Sequence, residues 1–378
     1  MRLTTAGESH GKALVAIIEG LPAQLAIDED QINAELALRQ QGYGRSARQT
    51  IETDRVEILS GVRDGKTLGS PVALLVMNRD YENCKEYMSA SKIGESGKVS
   101  HAVKSPRPGH ADLSGMLKFK TEDARDVLER ASARETAVRV AAGAVFKSYL
   151  AALGVQISGF VKEVGGVKDG GMYAFDELSR AKESPLGMLD REAEKRAMDK
   201  LSTLKEAGNT AGGIVEIRVK GLKSGFGSCM TYAEKLDARL AGALMSIQAA
   251  KGVEFGGGFS LASLSGREAH GAIAYENGAF IREGDLSGGI EGGMSNGGEI
   301  VLRVAMKPIP TLKNGLPSVD FTTKEKSVAA SERSDVCAIF AFERIAEAVV
   351  AEVLACAVKE RLGGDVLSEL TARYKLLD

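Results

Sequence analysis

The chain has 378 residues, enough to bury a large core in one large domain or in several smaller ones. Lys and Arg number 49 against 51 Asp and Glu, so the net charge does not indicate binding to nucleic acid or to a membrane surface. The four cysteines form no C-x-x-C pair, which disfavours a zinc ribbon and a disulfide scaffold and fits a reducing cytoplasm.

The first fifteen residues contain neither the apolar core of a signal peptide nor the composition of a transit peptide. No apolar run approaches the ~18 residues that a membrane span needs. We therefore expect a cytoplasmic protein with no membrane or nucleic-acid partner. The 44 glycines follow no G-x-y period, so they are expected in turns and close backbone approaches.

In the first hundred residues, short strands and one helix lead to a loop. Asp28 is the expected N-cap of the helix. Residues 87–101 mix Ser, Lys and Gly without periodicity, which is typical of a long loop or lid. In chain order, the segments predicted before it are a strand at 3–5, an apolar run at 13–18, the helix at 28–38, and antiparallel strands at 56–59 and 71–77.

Longer helices are predicted in the rest of the chain. One is expected to begin at residues 130–135 and to bury a stripe formed by Val140, Ala141, Ala144, Val145 and Tyr149. The elements predicted after it are a strand at 155–162, a helix at 190–207, a strand at 214–219, a helix at 232–250, a strand that opens with the glycines at 256–258, a strand at 299–306 and a helix at 345–362. This order predicts an α+β fold with antiparallel sheets rather than a doubly wound parallel sheet.

The densest chemistry lies at residues 105–145. A Pro-Gly turn carries His110 and Asp112, and Pro-Gly turns present side chains at loop tips, where functional groups concentrate. The expected helix start that follows carries Arg130, Ser132, Arg134 and Glu135. Backbone N–H groups, hydroxyls and guanidinium groups together can hold an anion. The stretch therefore predicts a phosphate or carboxylate site near His110.

Two other segments carry candidate groups. His10 lies between glycines after the first strand, where it could face a ligand or simply bond a neighbouring carbonyl. Arg39, Arg45 and Arg48 form a glycine-hinged loop that could close over an anion or remain a solvated charge run. Because arginines are the only charged residues in this segment and glycines flank them, the anion site is favoured.

Several familiar sites are excluded by the absence of their motifs. The chain has no P-loop, no Rossmann glycine pattern and no H-E-x-x-H, so neither a nucleotide-binding fold nor a metalloprotease zinc site is supported. The remaining groups are two histidines for proton transfer and several arginines for anion binding. They predict an enzyme acting on a phosphorylated or polycarboxylate metabolite. The alternative is a non-catalytic nucleic-acid or polyanion-binding protein that uses the loop at 39–48.

Eight ordered motifs span almost the whole chain, and through them the sequence resembles the chorismate synthase family. The motifs are GESHG at 7–11, R-x5-R-x2-RQ at 39–49, RPGHAD at 107–112, RASARETAVRVAAGA at 130–144, QAAKGVEFGGGF at 248–259, GGMSNG at 292–297, KPIPT at 307–311 and RSDVC at 333–337. Phe340, where many relatives have proline, and Pro310 depart from the family pattern.

The resemblance implies a lyase of the shikimate pathway that forms chorismate by 1,4-anti elimination of phosphate from 5-enolpyruvylshikimate 3-phosphate. It implies reduced FMN without net redox change, with NADPH only as a source of reducing equivalents and an external flavin reductase as a candidate partner. The alternative for a flavin protein is an ordinary flavin oxidoreductase, with net redox change. It further implies a β-α-β sandwich, with a helical layer between antiparallel sheets, that forms a single domain over residues 1–378 and assembles as a homotetramer.

The family's functional residues map onto matching positions here. His10 would serve the flavin N1 region, His110 would give a proton to the departing phosphate, and Asp335 would help remove the C6 proton. The implied substrate-binding residues are Ser9, Arg39, Arg45, Arg48 and Arg134. The implied cofactor-binding residues are Ala131, Ser132, Ala133, Gln248, Ala249, Gly292, Lys307, Pro308, Ile309, Pro310, Thr311 and Arg333. No metal site is implied.

Overall fold

Two antiparallel sheets enclose a layer of helices in the computed structural model, which describes residues 1–45, 53–94, 101–284, 286–330 and 335–377. The helices are α1 (Glu29–Gln40), α2 (Tyr81–Met88), α3 (Asp112–Phe119), α4 (Arg125–Ala131), α5 (Thr136–Ala151), α6 (Arg191–Glu206), α7 (Leu236–Met245), α8 (Gly266–Ala269), α9 (Ile339–Leu362) and α10 (Leu367–Lys375). Short 3₁₀ segments lie at Ala133–Glu135, Phe175–Glu183, Tyr232–Glu234 and Gly258–Ser263.

The strands form two main sheets and several two-stranded pairs. They are β1 (Arg2–Ala6), β2 (Ala13–Glu19), β3 (Val56–Ser60), β4 (Val62–Arg63), β5 (Lys66–Thr67), β6 (Val72–Met77), β7 (Gln156–Val164), β8 (Val167–Lys168), β9 (Gly213–Lys220), β10 (Ala250–Phe255), β11 (Ala272–Glu276), β12 (Ala279–Glu283), β13 (Ile290–Glu291), β14 (Met294–Ser295), β15 (Ile300–Met306), β16 (Pro317–Val319) and β17 (Lys326–Val328). The first sheet has the order β1-β2-β6-β3 and the second β10-β15-β9-β7-β8, with antiparallel neighbours throughout.

Helices α5 and α9 form the layer between the sheets. α5 packs on β2 and β6 of the first sheet, and α9 packs on β7 and β9 of the second. Both helices are rich in Ala and Val and are buried on nearly every face, as a helix between two sheets must be. Gly143 of α5 lies where a Cβ atom would come within 2.3 Å of the Ala348 Cβ atom, so glycine permits the close crossing of the two helices.

The sheets present one apolar face to this layer. In β2, Leu14, Ala16 and Ile18 are buried and alternate with more exposed residues. The same alternation in β15 buries every second residue from Ile300 to Met306. A period of two with one buried face is typical of antiparallel sheets packed on one side, and one continuous core therefore joins both sheets through the helices.

The structure confirms the α+β fold class, the sandwich arrangement and most of the predicted elements. Asp28 caps α1 by accepting a hydrogen bond from the Asp30 backbone N–H at 3.0 Å, and Asp190 caps α6 in the same way. Gly208, predicted to follow the helix over 190–207, has a left-handed φ of 66°.

Four predicted boundaries were wrong. The helix predicted at 232–250 is a 3₁₀ turn followed by α7, which ends at Met245, and Ala250 already begins β10. The glycines at 256–258 follow β10 instead of opening a strand. The helix predicted to start at 130–135 starts at Thr136, after α4 and a 3₁₀ turn. The helix predicted at 345–362 begins at Ile339.

The loop predicted at 87–101 begins two residues too early, because Tyr87 and Met88 belong to α2. Residues 95–100 lie outside the described residues, so the predicted lid stays a prediction. No helix in the described ranges is long and apolar enough to cross a membrane.

Candidate active site

A cavity of about 380 Å³ gathers residues from segments that are distant in the sequence. Its lining comes from the turn after β1, the end of α1, the Pro-Gly turn at 107–111, the junction of α4 and α5, the turn after α7, the segment after β15 and the first turns of α9. The sequence-predicted site residues that line it are Ser9, His10, Arg39, Arg45, His110, Ala131, Ser132, Ala133, Arg134, Gln248, Ala249, Lys307, Ile309, Pro310, Thr311 and Asp335.

Four predicted site residues are not among the lining residues. Pro308 lies between two lining residues without being one itself, and Gly292 lies in the turn between β13 and β14, next to the start of α7. Arg48 and Arg333 lie outside the described residues. The roles implied for these four, like those implied for the lining residues, stay predictions.

His10 is held by a buried carboxylate from α4. Its Nδ1 atom lies 2.9 Å from Glu129 Oε1, and its backbone N–H donates to Glu129 Oε2 at 2.8 Å. Arg125 Nη1 donates to Glu129 Oε1 at 2.9 Å. Burial acts to raise the pKa of Glu129, but the contacts with His10 and Arg125 outweigh it and lower that pKa. Glu129 is therefore a carboxylate at neutral pH.

His110 is held by a second buried carboxylate, that of Asp112. The His110 Nδ1 atom makes a hydrogen bond with Asp112 Oδ1, and Arg107 donates to Asp112 Oδ2 through Nε at 2.8 Å and its backbone N–H at 3.0 Å. Burial acts to raise the pKa of Asp112, but the bonds from His110 and Arg107 hold it below its usual range. Arg107 Nη1 also donates to Thr311 Oγ1 at 3.0 Å, which ties the His110 turn to the segment after β15.

Two buried arginines approach the cavity from α1 and from the junction of α4 and α5. Arg134 donates to Asp54 at 2.8 Å and to Asn78 at 2.9 Å, and Arg39 donates to the Thr136 hydroxyl at 2.9 Å. Burial lowers the pKa of Arg39 to about 9 against the opposing effect of Asp54, so its charge remains at neutral pH. These bonds fix the directions of two positive charges at the wall.

Asp335 lies beside a third arginine. Arg45 Nε is 3.3 Å from Asp335 Oδ2, and the Gly44 carbonyl accepts the Val336 N–H at 2.8 Å, which joins the two segments. On another wall, Lys307 donates from Nζ to the Gly109 carbonyl. Burial lowers the pKa of Lys307, and the charge of Lys251 adds to this effect. Among the lining residues that the structure describes, Asp335 is the only carboxylic acid.

One part of the wall is apolar and carries an unusual turn. Its apolar residues are Leu128, Ile247, Met306, Ala338, Ala341, Phe342 and Ile345. Ala249 has a φ of 71°, a left-handed conformation that is rare for residues other than glycine. Within the described ranges, Gln248 Oε1 is buried without a hydrogen-bond partner. A strained backbone and an unpaired polar atom at one wall are features of a ligand site.

Sequence reasoning missed the residues behind the wall. Glu129, Asp54 and Asn78 hold His10 and Arg134 from a second layer, and no motif marks them as partners. Arg107 was visible inside the RPGHAD motif, where an arginine close to a histidine and an aspartate could have indicated its role. In the part of the chain that the structure describes, no group of three or more His, Cys, Asp or Glu side chains is arranged to hold a metal.

Comparisons with known proteins consistently point to one family. The family model described as chorismate synthase matches residues 1–358. The chain is 51% identical to the chorismate synthase of Geobacter sulfurreducens, covering 99% of this chain and 98% of that protein. It is 50% identical to that of Bacillus pumilus, covering 98% and 96%. A crystal structure of chorismate synthase superposes with a TM-score of 0.78 at 37% identity, covering 99% of this chain and 96% of that one.

Proposed function

The chain belongs to the chorismate synthase family, and from this we propose how its cavity carries out the reaction of that carbon–oxygen lyase on a phosphate ester. The reaction is the 1,4-anti elimination of phosphate from 5-enolpyruvylshikimate 3-phosphate to give chorismate. A C–H bond at C6 and a C–O bond to phosphate break, and a second ring double bond forms. The enzyme must bind a polyanion, accept a proton and stabilise phosphate as it leaves.

The composition of the cavity lining carries this proposal. Five cationic side chains and two histidines surround a space with a single lining carboxylate among the described residues. The cationic residues are Arg39, Arg45, Arg107, Arg134 and Lys307. Fixed positive charge in a site shielded from water stabilises the negative charge that develops on a departing phosphate. The volume also falls within the ~300–1,000 Å³ of small-molecule sites.

The lining also fits reduced FMN. Leu128, Ile247, Phe342 and their apolar neighbours offer a surface for a flat ring, while Gln248 Oε1 is a buried acceptor that lacks a partner. Residues 131–133, 248–249, 307–311 and Arg333 would hold the cofactor, with Gly292 as a further implied contact. Bound reduced FMN would supply transient electron donation without net redox change.

The protein's own residues would supply the proton transfers and the anion binding. His110, oriented by its contact with Asp112, would give a proton from Nε2 to the departing phosphate. Asp335 is the lining carboxylate that would take part in removing the C6 proton. Ser9, Arg39, Arg45, Arg48 and Arg134 would bind the substrate's carboxylates and phosphate, and His10 would serve the N1 side of the cofactor.

An anaerobic assay tests the proposed function. With 5-enolpyruvylshikimate 3-phosphate and dithionite-reduced FMN, we expect chorismate and one equivalent of phosphate, with no net oxidation of the flavin. Arms with NADPH plus oxidised FMN, with and without an added flavin reductase, ask whether the chain reduces its own cofactor. Absence of chorismate in the dithionite arm would refute the proposal. Steady NAD(P)H consumption with net redox change would favour the oxidoreductase alternative instead.

A homotetramer is supported by an apolar hairpin that the single chain leaves uncovered. β11 and β12 expose Ile273 by 68%, Tyr275 by 63% and Phe280 by 74%. An isolated two-stranded hairpin is marginal in water, so covering it with another copy would stabilise it. We expect light scattering to give the mass of four chains. Phe280→Asp should reduce the assembly, and a monomeric wild-type protein would contradict the proposal.

The remaining aspects of the proposal concern the setting of the enzyme. The cytoplasm is the proposed location, with NADPH as the source of reducing equivalents and a flavin reductase as the candidate partner. The continuous core between both sheets supports organisation of residues 1–378 as one domain.

A further inference from the structure

Both cavity histidines have the same arrangement at Nδ1. In each, this atom contacts a buried carboxylate that is also held by an arginine: Glu129 with Arg125 for His10, and Asp112 with Arg107 for His110. We propose that Glu129 and Asp112 are positioning residues that keep a proton on Nδ1 of His10 and His110. Each ring then offers Nε2 to the cavity. The positioning itself does not depend on the proposed function; only the reaction assigned to Nε2 in the cavity rests on it.

Several hydrogen bonds fix the orientation of the Glu129 carboxylate. Three donors converge on its carboxylate: His10 Nδ1 at 2.9 Å, the His10 backbone N–H at 2.8 Å and Arg125 Nη1 at 2.9 Å. The Glu129 backbone carbonyl also accepts the Ser9 N–H at 2.9 Å. A carboxylate only accepts hydrogen bonds, so Nδ1 must be the donor. The residue thus fixes the position of the 9–10 turn, the orientation of the ring and the site of its proton.

Asp112 also keeps the ring proton of His110 on Nδ1, although the two residues are neighbours in one turn. Asp112 is fully buried, and Arg107 donates hydrogen bonds to its carboxylate from Nε at 2.8 Å and from Nη2 at 3.1 Å. Arg107 Nη2 also lies 3.2 Å from His110 Nδ1. Two donors cannot bond each other, and Nδ1 is closer to the carboxylate, so the ring proton is directed to Asp112. Nε2 of His110 is then the atom that exchanges a proton with a ligand.

The Glu129 arrangement extends to a segment outside the cavity. Arg125 donates from Nε to the His101 carbonyl at 3.0 Å and lies over the Tyr87 ring at 4.9 Å. The Tyr87 and His101 rings stack at 4.3 Å. The Arg125 guanidinium is therefore fixed from two sides, which makes it a rigid support for Glu129. Purely apolar packing would not require this chain of directed bonds.

Nitrogen NMR tests the positioning without cofactor or substrate. The chain has four histidines, so ¹⁵N-histidine labelling gives few signals, and the exposed His270 serves as a reference. In the wild type we expect the neutral rings of His10 and His110 to carry their proton on Nδ1. Glu129→Gln has a single acceptor oxygen for three donors, so the His10 tautomer should change while the His110 signals stay. Asp112→Asn should do the reverse.

Activity supplies the second readout. Each variant should lower kcat by about 10²-fold or more, as expected when a proton-transferring histidine holds the wrong tautomer, with a smaller change in KM. Glu122→Gln, an exposed neighbour, is the matched control and should match the wild type. The two variants probe separate rings, so if circular dichroism shows that one is unfolded, the other decides.

The outcomes separate this inference from the proposed function. Unchanged His10 and His110 tautomers in folded variants would overturn the positioning role even if the wild type makes chorismate. A tautomer change in a protein that makes no chorismate would uphold the positioning role and refute the proposed function. A kcat loss without a tautomer change would assign Glu129 and Asp112 a structural role and overturn the inference.

Discussion

His110→Asn lowers turnover by about 10²–10⁴-fold, the range of general acid catalysis, while the affinity for FMN changes little. The Asn side-chain amide can replace Nδ1–H as the donor to Asp112, so the turn at 107–112 keeps its bonds. Only the second ring nitrogen is lost. The phosphate must then leave without a proton from the protein, although the cationic residues of the cavity remain.

Single-turnover kinetics with pre-reduced FMN and fluorescence titration of FMN measure the two effects separately. His270→Asn is the matched control, because that histidine is exposed and outside the cavity. Equal losses in turnover and FMN affinity would contradict an acid role and place His110 among the cofactor-binding residues. The same result would leave Lys307 and the arginines as the groups that stabilise the leaving phosphate.

Local signals in the sequence were sufficient where short-range chemistry decides structure. Asp28 and Asp190 stand before amphipathic runs and cap α1 and α6, as an Asn/Asp/Ser/Thr cap rule predicts. The prediction of one helix over 232–250 was wrong, because hydrophobic periodicity does not show where a helix ends. Leu236, Leu240 and Leu244 are buried at helical spacing, but Ile247 reaches the same core from a turn outside the helix.

That turn shows what the sequence could not reveal. Ser246 Oγ donates to the Ala243 carbonyl, and Ala249 adopts a left-handed φ that Ala rarely adopts by itself. The Lys307 N–H donates to the Ala249 carbonyl, so a contact 58 positions away in the chain supports the conformation. The strain arises at the cavity wall, where local rules fail most often in functional proteins.

The candidate site divides in the same way. Motif matches located the histidines and arginines that line the cavity, because those groups lie in turns with their own glycine and proline signals. The partners behind them are set by tertiary structure. Glu129 lies 119 positions from His10, and Asp54 lies 80 positions from Arg134. Such pairs depend on how α4 packs against the first sheet, and a single sequence does not reveal that packing.

Asp335→Asn is the second change with a large expected effect, again about 10²–10⁴-fold in turnover. The amide cannot accept a proton as the carboxylate does, and among the described lining residues no other carboxylate can replace it. The substitution is nearly isosteric, and the bond from Val336 to the Gly44 carbonyl does not involve this side chain. The segment before α9 should therefore keep its position, with the Arg45 contact weakened because its partner loses charge.

Substrate deuterated at C6 distinguishes a role in proton removal from a role in holding Arg45. If Asp335 helps to remove the C6 proton, that step becomes slower in the variant, and the deuterium isotope effect on single turnover rises above the wild-type value. If Asp335 only orients Arg45, KM rises instead and the isotope effect stays as in the wild type. Asp199→Asn, an exposed aspartate on α6, is the matched control. A wild-type rate and isotope effect in Asp335→Asn would remove this carboxylate from the mechanism and leave proton removal to another group.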